Sequence, residues 1–317
     1  MLILGFDIGG TKCAVITADY NDINGNIKLL KKEKIPTDLS VKPEEMINRL
    51  IVLADSILED KPDSIGISCG GPLDSKNGVI LGPPNLPGWD NVEIVKQIES
   101  HYKVNAYLQN DANACAVAEW KFGAGKGTEN MVFLTFGTGL GAGLILNGKL
   151  YSGTNDNAGE VGHIRLERFG PVGYGKAGSF EGFCSGNGIA NLGYTLALEQ
   201  VQSGFYPLYF KPGMTISDIS AKTIADAAYN GDATALSVYK TCGEYLGRGL
   251  SVIIDILNPE VIVIGSVFAR SQGLLWPEAE KVIQKEALSV AAGCCKVLPA
   301  ALGENIGDYA AISTALL

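Results

Sequence analysis

The chain has 317 residues, a net charge of −9 and 46% hydrophobic residues, enough apolar material to bury a large core, and its length favours two domains over one. Without a long run of Lys and Arg it lacks the electrostatic footprint of a nucleic-acid binder, so no partner of that class is expected. Apolar runs such as Val261-Ile262-Val263-Ile264 and Met131-Val132-Phe133-Leu134 fall far short of the roughly 20 residues that span a bilayer, and no membrane segment is expected. The N-terminus passes directly into a strand, without the basic region of a signal peptide. Seven cysteines, an odd number with no regular framework, predict reduced thiols in the cytoplasm.

Residues 2–8 and 12–18 read as a hairpin of apolar strands around Gly9-Gly10, a turn that permits positive φ and close approach of the backbone to a ligand. A third strand is predicted near 28–36. Met46, Ile47, Leu50, Ile51, Leu53, Ala54 and Ile57 recur at helical spacing and predict a helix over 42–58 with one buried face. A strand over 64–68 then ends in Cys69-Gly70-Gly71-Pro72. This order of elements predicts a mixed α/β lobe.

A second round begins at residue 131. Setting Phe6 against Phe136 places Gly9 on Gly139 and Cys13-Ala14-Val15-Ile16 on Gly143-Leu144-Ile145-Leu146, so the two glycine hairpins read as copies of one unit. Duplicated lobes facing each other would make a cleft. Residues 219–257 read as two helices closed by Asn258-Pro259. An apolar strand follows at 261–264, and the Ala-rich segment 307–317 is predicted helical.

Three clusters could carry chemistry. Asp7 ends a strand beside the glycine turn, where a carboxylate can hold a magnesium ion or its water while backbone N–H groups meet phosphate oxygens; the bland alternative is a turn Asp that satisfies backbone donors. Gly137-Thr138-Gly139 lacks a carboxylate, adds a hydroxyl and resembles a phosphate cradle. Neither loop has P-loop spacing or the dinucleotide fingerprint. In Asn110-Asp111-Ala112-Asn113, Asp111 is either a helix N-cap or the base that accepts a hydroxyl proton during phosphoryl transfer, at a strand-to-helix junction of the kind where α/β sheets bind ligands. The third cluster is Gly159-Glu160-Val161-Gly162-His163, with Glu181 further on. Its histidine, set between glycines and an acid, suits a polyhydroxylated ligand, although a lone His is more often structural.

Together these motifs resemble the ROK family of repressors, open reading frames and sugar kinases, in the actin-like ATPase superfamily, over essentially the whole chain. Asp7-Ile8-Gly9-Gly10-Thr11-Lys12 and residues 135–141 resemble its two phosphate motifs, Asn110-Asp111-Ala112-Asn113-Ala114 its catalytic motif, and Ala158-Gly159-Glu160-Val161-Gly162-His163 its sugar-binding signature. Asn258-Pro259-Glu260-Val261-Ile262-Val263-Ile264-Gly265 resembles its adenosine-side strand.

The resemblance implies an α/β fold of two actin-like, ribonuclease H-like lobes, with mixed sheets flanked by helices and a central cleft. Residues 1–115 would form the N-terminal lobe, with helix 305–317 packing back on it, and 116–304 the C-terminal lobe. It also implies an ATP- and Mg²⁺-dependent, glucokinase-like kinase acting on a hexose or N-acetylhexosamine, usually at the 6-hydroxyl, as a cytoplasmic homodimer. Carried over by position, Asp111 is the base, and Gly71, Asn85, Asn110, Glu160, His163 and Glu181 bind the sugar. Asp7 (also the magnesium residue), Gly9, Gly10, Thr11, Lys12, Thr138, Gly139, Gly265 and Ser266 serve the nucleotide. The alternative within the family is a sugar-sensing regulator without catalytic activity.

One departure stands out. Family members usually hold zinc with the signature His and three downstream cysteines, and here Val172, Tyr174 and Ser179 stand at those positions. A lone His cannot make the four-coordinate structural site. No zinc is expected, and packing of Phe169, Tyr174 and Phe180 is expected to hold the loop.

Overall fold

The glycine turn at residues 9–10 folds two apolar strands back on each other: β1 (Leu2–Ile8) and β2 (Lys12–Asn21) pair antiparallel, and β3 (Asn26–Pro36) adds to β2 in the same sense. The structure, a computed structural model, describes all 317 residues. Next, α1 (Pro43–Ile57) buries Met46, Ile47, Leu50, Ile51, Ala54 and Ile57, the face its spacing predicts, with Leu53 partly buried beside them. β4 (Ser64–Cys69) pairs parallel with β1. After the short hairpin β5 (Leu73–Asp74) and β6 (Val79–Ile80), α2 (Ile94–Tyr102) returns the chain to β7 (Ala106–Asn110), which pairs parallel with β4. The sheet has five strands of mixed sense in the order β3-β2-β1-β4-β7, and α3 (Asp111–Phe122) leaves directly from the end of β7.

A second sheet is built on β8 (Met131–Leu134), which is followed by β9 (Ala142–Leu146) and its hairpin partner β10 (Lys149–Leu150). A small hairpin, β11 (Val172–Gly173) and β12 (Lys176–Ala177), precedes α4 (Phe180–Phe183), α5 (Gly186–Gln202), α6 (Ala221–Tyr229) and α7 (Ala233–Leu257). Asn258 ends α7 in the left-handed conformation, φ 45°, where Asn is tolerated better than most residues. β13 (Val261–Ile264) then pairs parallel with β8 on one side. After α8 (Val267–Glu286) and α9 (Ser289–Ala292), β14 (Lys296–Pro299) pairs parallel with β13 on the other, and the chain ends in α10 (Ile306–Thr314).

The chain divides into two compact units. The first comprises Met1–Glu129, Gly143–Ala158 and Ala301–Leu317, and the second Asn130–Ala142 and Gly159–Ala300. The boundary expected after residue 115 falls within α3, whose helix is continuous to Phe122. The first unit's sheet is covered on both faces. Leu4, Phe6 and Ile8 alternate onto the side of α1 and α2, whereas Ile3, Ala14, Ile16 and Ala18 meet Ala311, Ile312 and Ala315 at the C-terminal helix.

Two details seat that last segment in the first unit. Glu119 of α3 is fully buried and accepts hydrogen bonds from Leu302 N at 2.9 Å, Ala301 N at 3.2 Å and Ala124 N at 2.7 Å. On β4, Gly66 lies so close to α10 that a Cβ there would overlap the Ala311 carbonyl oxygen. Since helix backbone cannot yield as a side chain does, Gly66→Ala is expected to cost about 2–3 kcal/mol and to lower the melting temperature by roughly 4–12 °C. Calorimetry showing unchanged melting would mean that α10 does not sit on β4.

Candidate active site

In the first unit the sheet register itself assembles the site. Ile8 lies opposite Cys69, and Cys69 opposite Asn110, so Asp7 and the start of α3 reach the same carboxyl edge of parallel strands, where ligands of α/β sheets bind. Asn110, not Asp111, caps the helix: its side chain accepts from Ala112 N at 2.9 Å. Asp111 is therefore the first helical residue, with an exposed side chain. Gly71, which precedes Pro72 through a cis peptide, packs on Asn110; a Cβ on Gly71 would stand 2.8 Å from Asn110 Nδ2.

The first glycine loop is pinned from two sides. Thr37 Oγ1 donates to the Gly9 carbonyl at 2.5 Å, and Thr37 N donates to the Thr11 carbonyl at 3.0 Å. Gly10 presses on the Asn85 backbone with no room for a Cβ. Thr11 and Lys12 stay exposed.

Behind this loop lies a pair that the motifs did not reveal. Asp308 of α10, 4% exposed, forms an ion pair with Lys32 of β3. Burial, and then the charges of Asp308 and Asp111, push the Asp7 carboxyl up to about 6, against the opposing pull of Lys32 and Lys12. Asp7 thus shares a negatively charged setting with Asp308 and the exposed Asp111, and a single carboxylate completed by water and phosphate oxygens is a usual way to hold a hard cation such as Mg²⁺. A lone acid in an otherwise Ala-rich terminal helix was the available signal for Asp308.

In the second unit, residues 135–141 form a closed glycine loop: Thr135 N donates to Gly141 O, and Gly137 N to Gly139 O, each at 3.0 Å. Glu160 precedes and His163 ends a 3-10 turn, Val161–His163, and both are exposed with no side-chain hydrogen bond. The His163 ring meets Tyr174 edge-on at 5.3 Å. Glu181, by contrast, is engaged: its Oε2 accepts from Leu140 N at 2.9 Å.

The loop that carries Glu181 has no donor set for zinc. Val172 and Tyr174 are exposed, the Ser179 side chain caps α4 through Gly182 N, and Cys184 is buried with its sulfur 4.0 Å from that of Cys242. No group of three or more His, Cys, Asp or Glu is arranged to hold a metal. Backbone bonds do much of the holding, with Leu166 N and Glu167 N both donating to Gly178 O and Phe180 N to Ile164 O. The expected aromatic packing holds for Phe180, which is fully buried, and fails for Phe169 and Tyr174, which are 72% and 71% exposed. In their place Phe183 stacks on Tyr245 at 3.5 Å, and Arg248 lies over the far ring while reaching Glu167 at 3.3 Å.

A cleft of about 630 Å³ opens beside the glycine loop, walled by Thr138, Asn187, Ser266 and Arg270, with Asp226 and Tyr229 of α6. Its volume suits a nucleotide-sized ligand. Ser266 is thus placed on a cleft wall, whereas Gly265 lies behind it, its N–H donating to Leu134 O at 2.9 Å. Lys222, Ala225, Asp226 and Tyr229 share a helical face in the sequence, but nothing there says what that face borders.

Residues 3–315 match the ROK family model. The chain belongs to the ROK family. It is 31% identical over 317 residues to the glucokinase of Thermotoga maritima, covering 98% of this chain and 96% of that one. Among solved structures, a ROK family glucokinase from Streptomyces griseus in complex with glucose and AMPPNP superposes with a TM-score of 0.78 at 28% identity, covering 100% of this chain and 99% of the other. A ROK family transcriptional regulator, a homologue of the Escherichia coli MLC protein, superposes with a TM-score of 0.83 at 26% identity, covering 99% and 78%. The mixed α/β architecture with two sheets matches that of ROK sugar kinases.

Two outcomes follow from the geometry. Elemental analysis is expected to find no stoichiometric zinc, and a zinc-selective chelator to leave melting unchanged; about one tightly bound zinc per chain would mean that thiols outside the usual pattern supply ligands. Asp7 holds its proton more tightly folded than unfolded, so the associated stability is full below pH 3.8 and is lost as pH rises through about 6, a difference of at most about 3 kcal/mol. Asp7→Asn is therefore expected to melt several degrees above the parent in EDTA at about pH 7.5, and to lose that advantage at about pH 4. Equal melting at both pH values would mean that neither burial nor repulsion raises the Asp7 carboxyl.

Proposed function

We propose that this ROK protein is an ATP-dependent sugar kinase, glucokinase-like, that phosphorylates a hexose or N-acetylhexosamine at the 6-hydroxyl. The observation that carries this reading is the meeting of Asp111 and the Asp7 glycine loop at one edge of the first sheet. It sets a carboxylate able to take a hydroxyl proton beside a loop built to receive phosphate.

In this reading Asp111 accepts the proton of the attacking hydroxyl as that oxygen takes the phosphoryl group. Asn110, fixed by its capping bond, Gly71 and Asn85 are the first unit's sugar residues, and Glu160, His163 and Glu181 the second unit's. Gly9, Gly10, Thr11 and Lys12 meet the phosphates of the nucleotide, as do Thr138 and Gly139, while Gly265 and Ser266 lie toward the nucleoside. Asp7 is the residue that would hold Mg²⁺, directly or through water; the ion supplies neutralisation of charge on the phosphoryl oxygens. All seven cysteines are unpaired, which supports a reducing compartment.

A sugar-binding regulator is the competing reading, favoured by the close superposition on the MLC homologue. A coupled assay with MgATP against glucose, fructose, mannose, allose and the N-acetylated hexosamines separates the two. The kinase reading expects turnover on at least one sugar, abolished by EDTA. Asp111→Asn should keep the fold and sugar binding while turnover falls roughly 10²- to 10⁴-fold. Sugar binding without turnover on any of them would favour the regulator, and a variant within a few-fold of the parent would reduce Asp111 to a helix residue.

A further inference from the structure

Glu181 lies where a ring of glycines lets three segments touch it. A Cβ on Gly139 would stand 2.7 Å from Glu181 Oε2, one on Gly162 would stand 3.2 Å from Glu181 Cβ, and one on Gly173 would stand 3.0 Å from the same atom. These glycines belong to the phosphate loop, the Glu160–His163 turn and the β11–β12 hairpin. Glu181 Oε2 accepts the Leu140 N–H at 2.9 Å, whereas Oε1 makes no hydrogen bond. Leu140 is held on its other side as well, because its carbonyl packs on Gly162 too tightly for any side chain there. One residue of the phosphate loop is thus gripped through its N–H by Glu181 and through its carbonyl by the turn that bears Glu160 and His163.

Resting on the kinase reading, we infer that Glu181 is a positioning residue of the phosphate loop: one carboxylate oxygen anchors Leu140 and the other is left for a sugar hydroxyl, so that sugar occupancy and nucleotide binding are coupled. The strut is held in turn by Ser179, which caps α4 through Gly182 N at 3.1 Å, and by Phe180 N, which donates to Ile164 O at 2.8 Å. A carboxylate whose far oxygen is fixed by a hydroxyl has less freedom to leave the amide. Coupling of this kind is reciprocal in binding free energy.

The test is calorimetric titration of MgAMPPNP into the full chain, with and without saturating amounts of the sugar that turns over best. The parent is expected to bind the nucleotide about ten-fold more tightly with sugar present, within the usual range of such couplings. Glu181→Ala should bind it about ten-fold more weakly without sugar and lose the dependence on sugar. Glu181→Gln, which keeps an oxygen to accept from Leu140 N, should restore most of the sugar-free affinity. If Glu181→Ala does not fold, Gly139→Ala displaces the carboxylate while leaving Glu181 in place and should lose the coupling in the same way. A parent that turns over sugar but binds MgAMPPNP equally with and without it overturns the coupling alone. So does a Glu181→Ala variant with parental nucleotide affinity and a weakened sugar constant, which would make Glu181 a sugar ligand only. A parent that binds no nucleotide overturns the kinase reading as well.

Discussion

Parallel pairing of β1, β4 and β7 is the constraint on which the first unit's site depends. The pairs Ile8–Cys69 and Cys69–Asn110 bring three strand ends to one level. Side chains alternate between the faces of a sheet, so a slip of one residue in either pairing would turn Asp7 or the capping Asn110 to the wrong face. The apolar sets on both faces, Leu4, Phe6 and Ile8 on one and Ile3, Ala14 and Ile16 on the other, forbid that slip by burying the register. Core packing and the geometry of the candidate site are here the same requirement.

The second unit relies on a different device, close backbone approach. Leu140 contributes an N–H and a carbonyl to two neighbours at once, and this is possible only where Gly139 and Gly162 lack side chains. The adjoining loop is held by backbone bonds to Gly178 O, a serine cap and the Phe183–Tyr245–Arg248 stack. These contacts spread the restraint over several elements, each worth little alone.

Much of this was legible in the sequence. The first hairpin, the buried face of α1, the strand at 261–264 and the terminal helix all follow from period and punctuation, because those signals are local. Asp111, Glu160 and His163 stand out through the company they keep within a few residues. The capping role fell to Asn110 because which of two adjacent cap-forming residues takes the cap depends on backbone angles rather than residue type. The Lys32–Asp308 pair, the Phe183–Tyr245 stack and the cleft face of α6 were out of reach. Each joins residues far apart in the chain, and a single sequence carries no record of which distant partners meet.

The bonds from Glu119 to Ala301 N and Leu302 N have a consequence for the order in which the chain can mature. The first unit takes its last helix, and with it Asp308, from Ala301–Leu317, which follow the second unit in the chain. On the ribosome, where domains otherwise tend to fold in order of emergence, the sheet that bears Asp7 waits for Ala301–Leu317 with one face bare. The second unit, complete at Ala300, has all of its residues sooner. Asp308 therefore reaches Asp7 only after the residues of the second unit have been made.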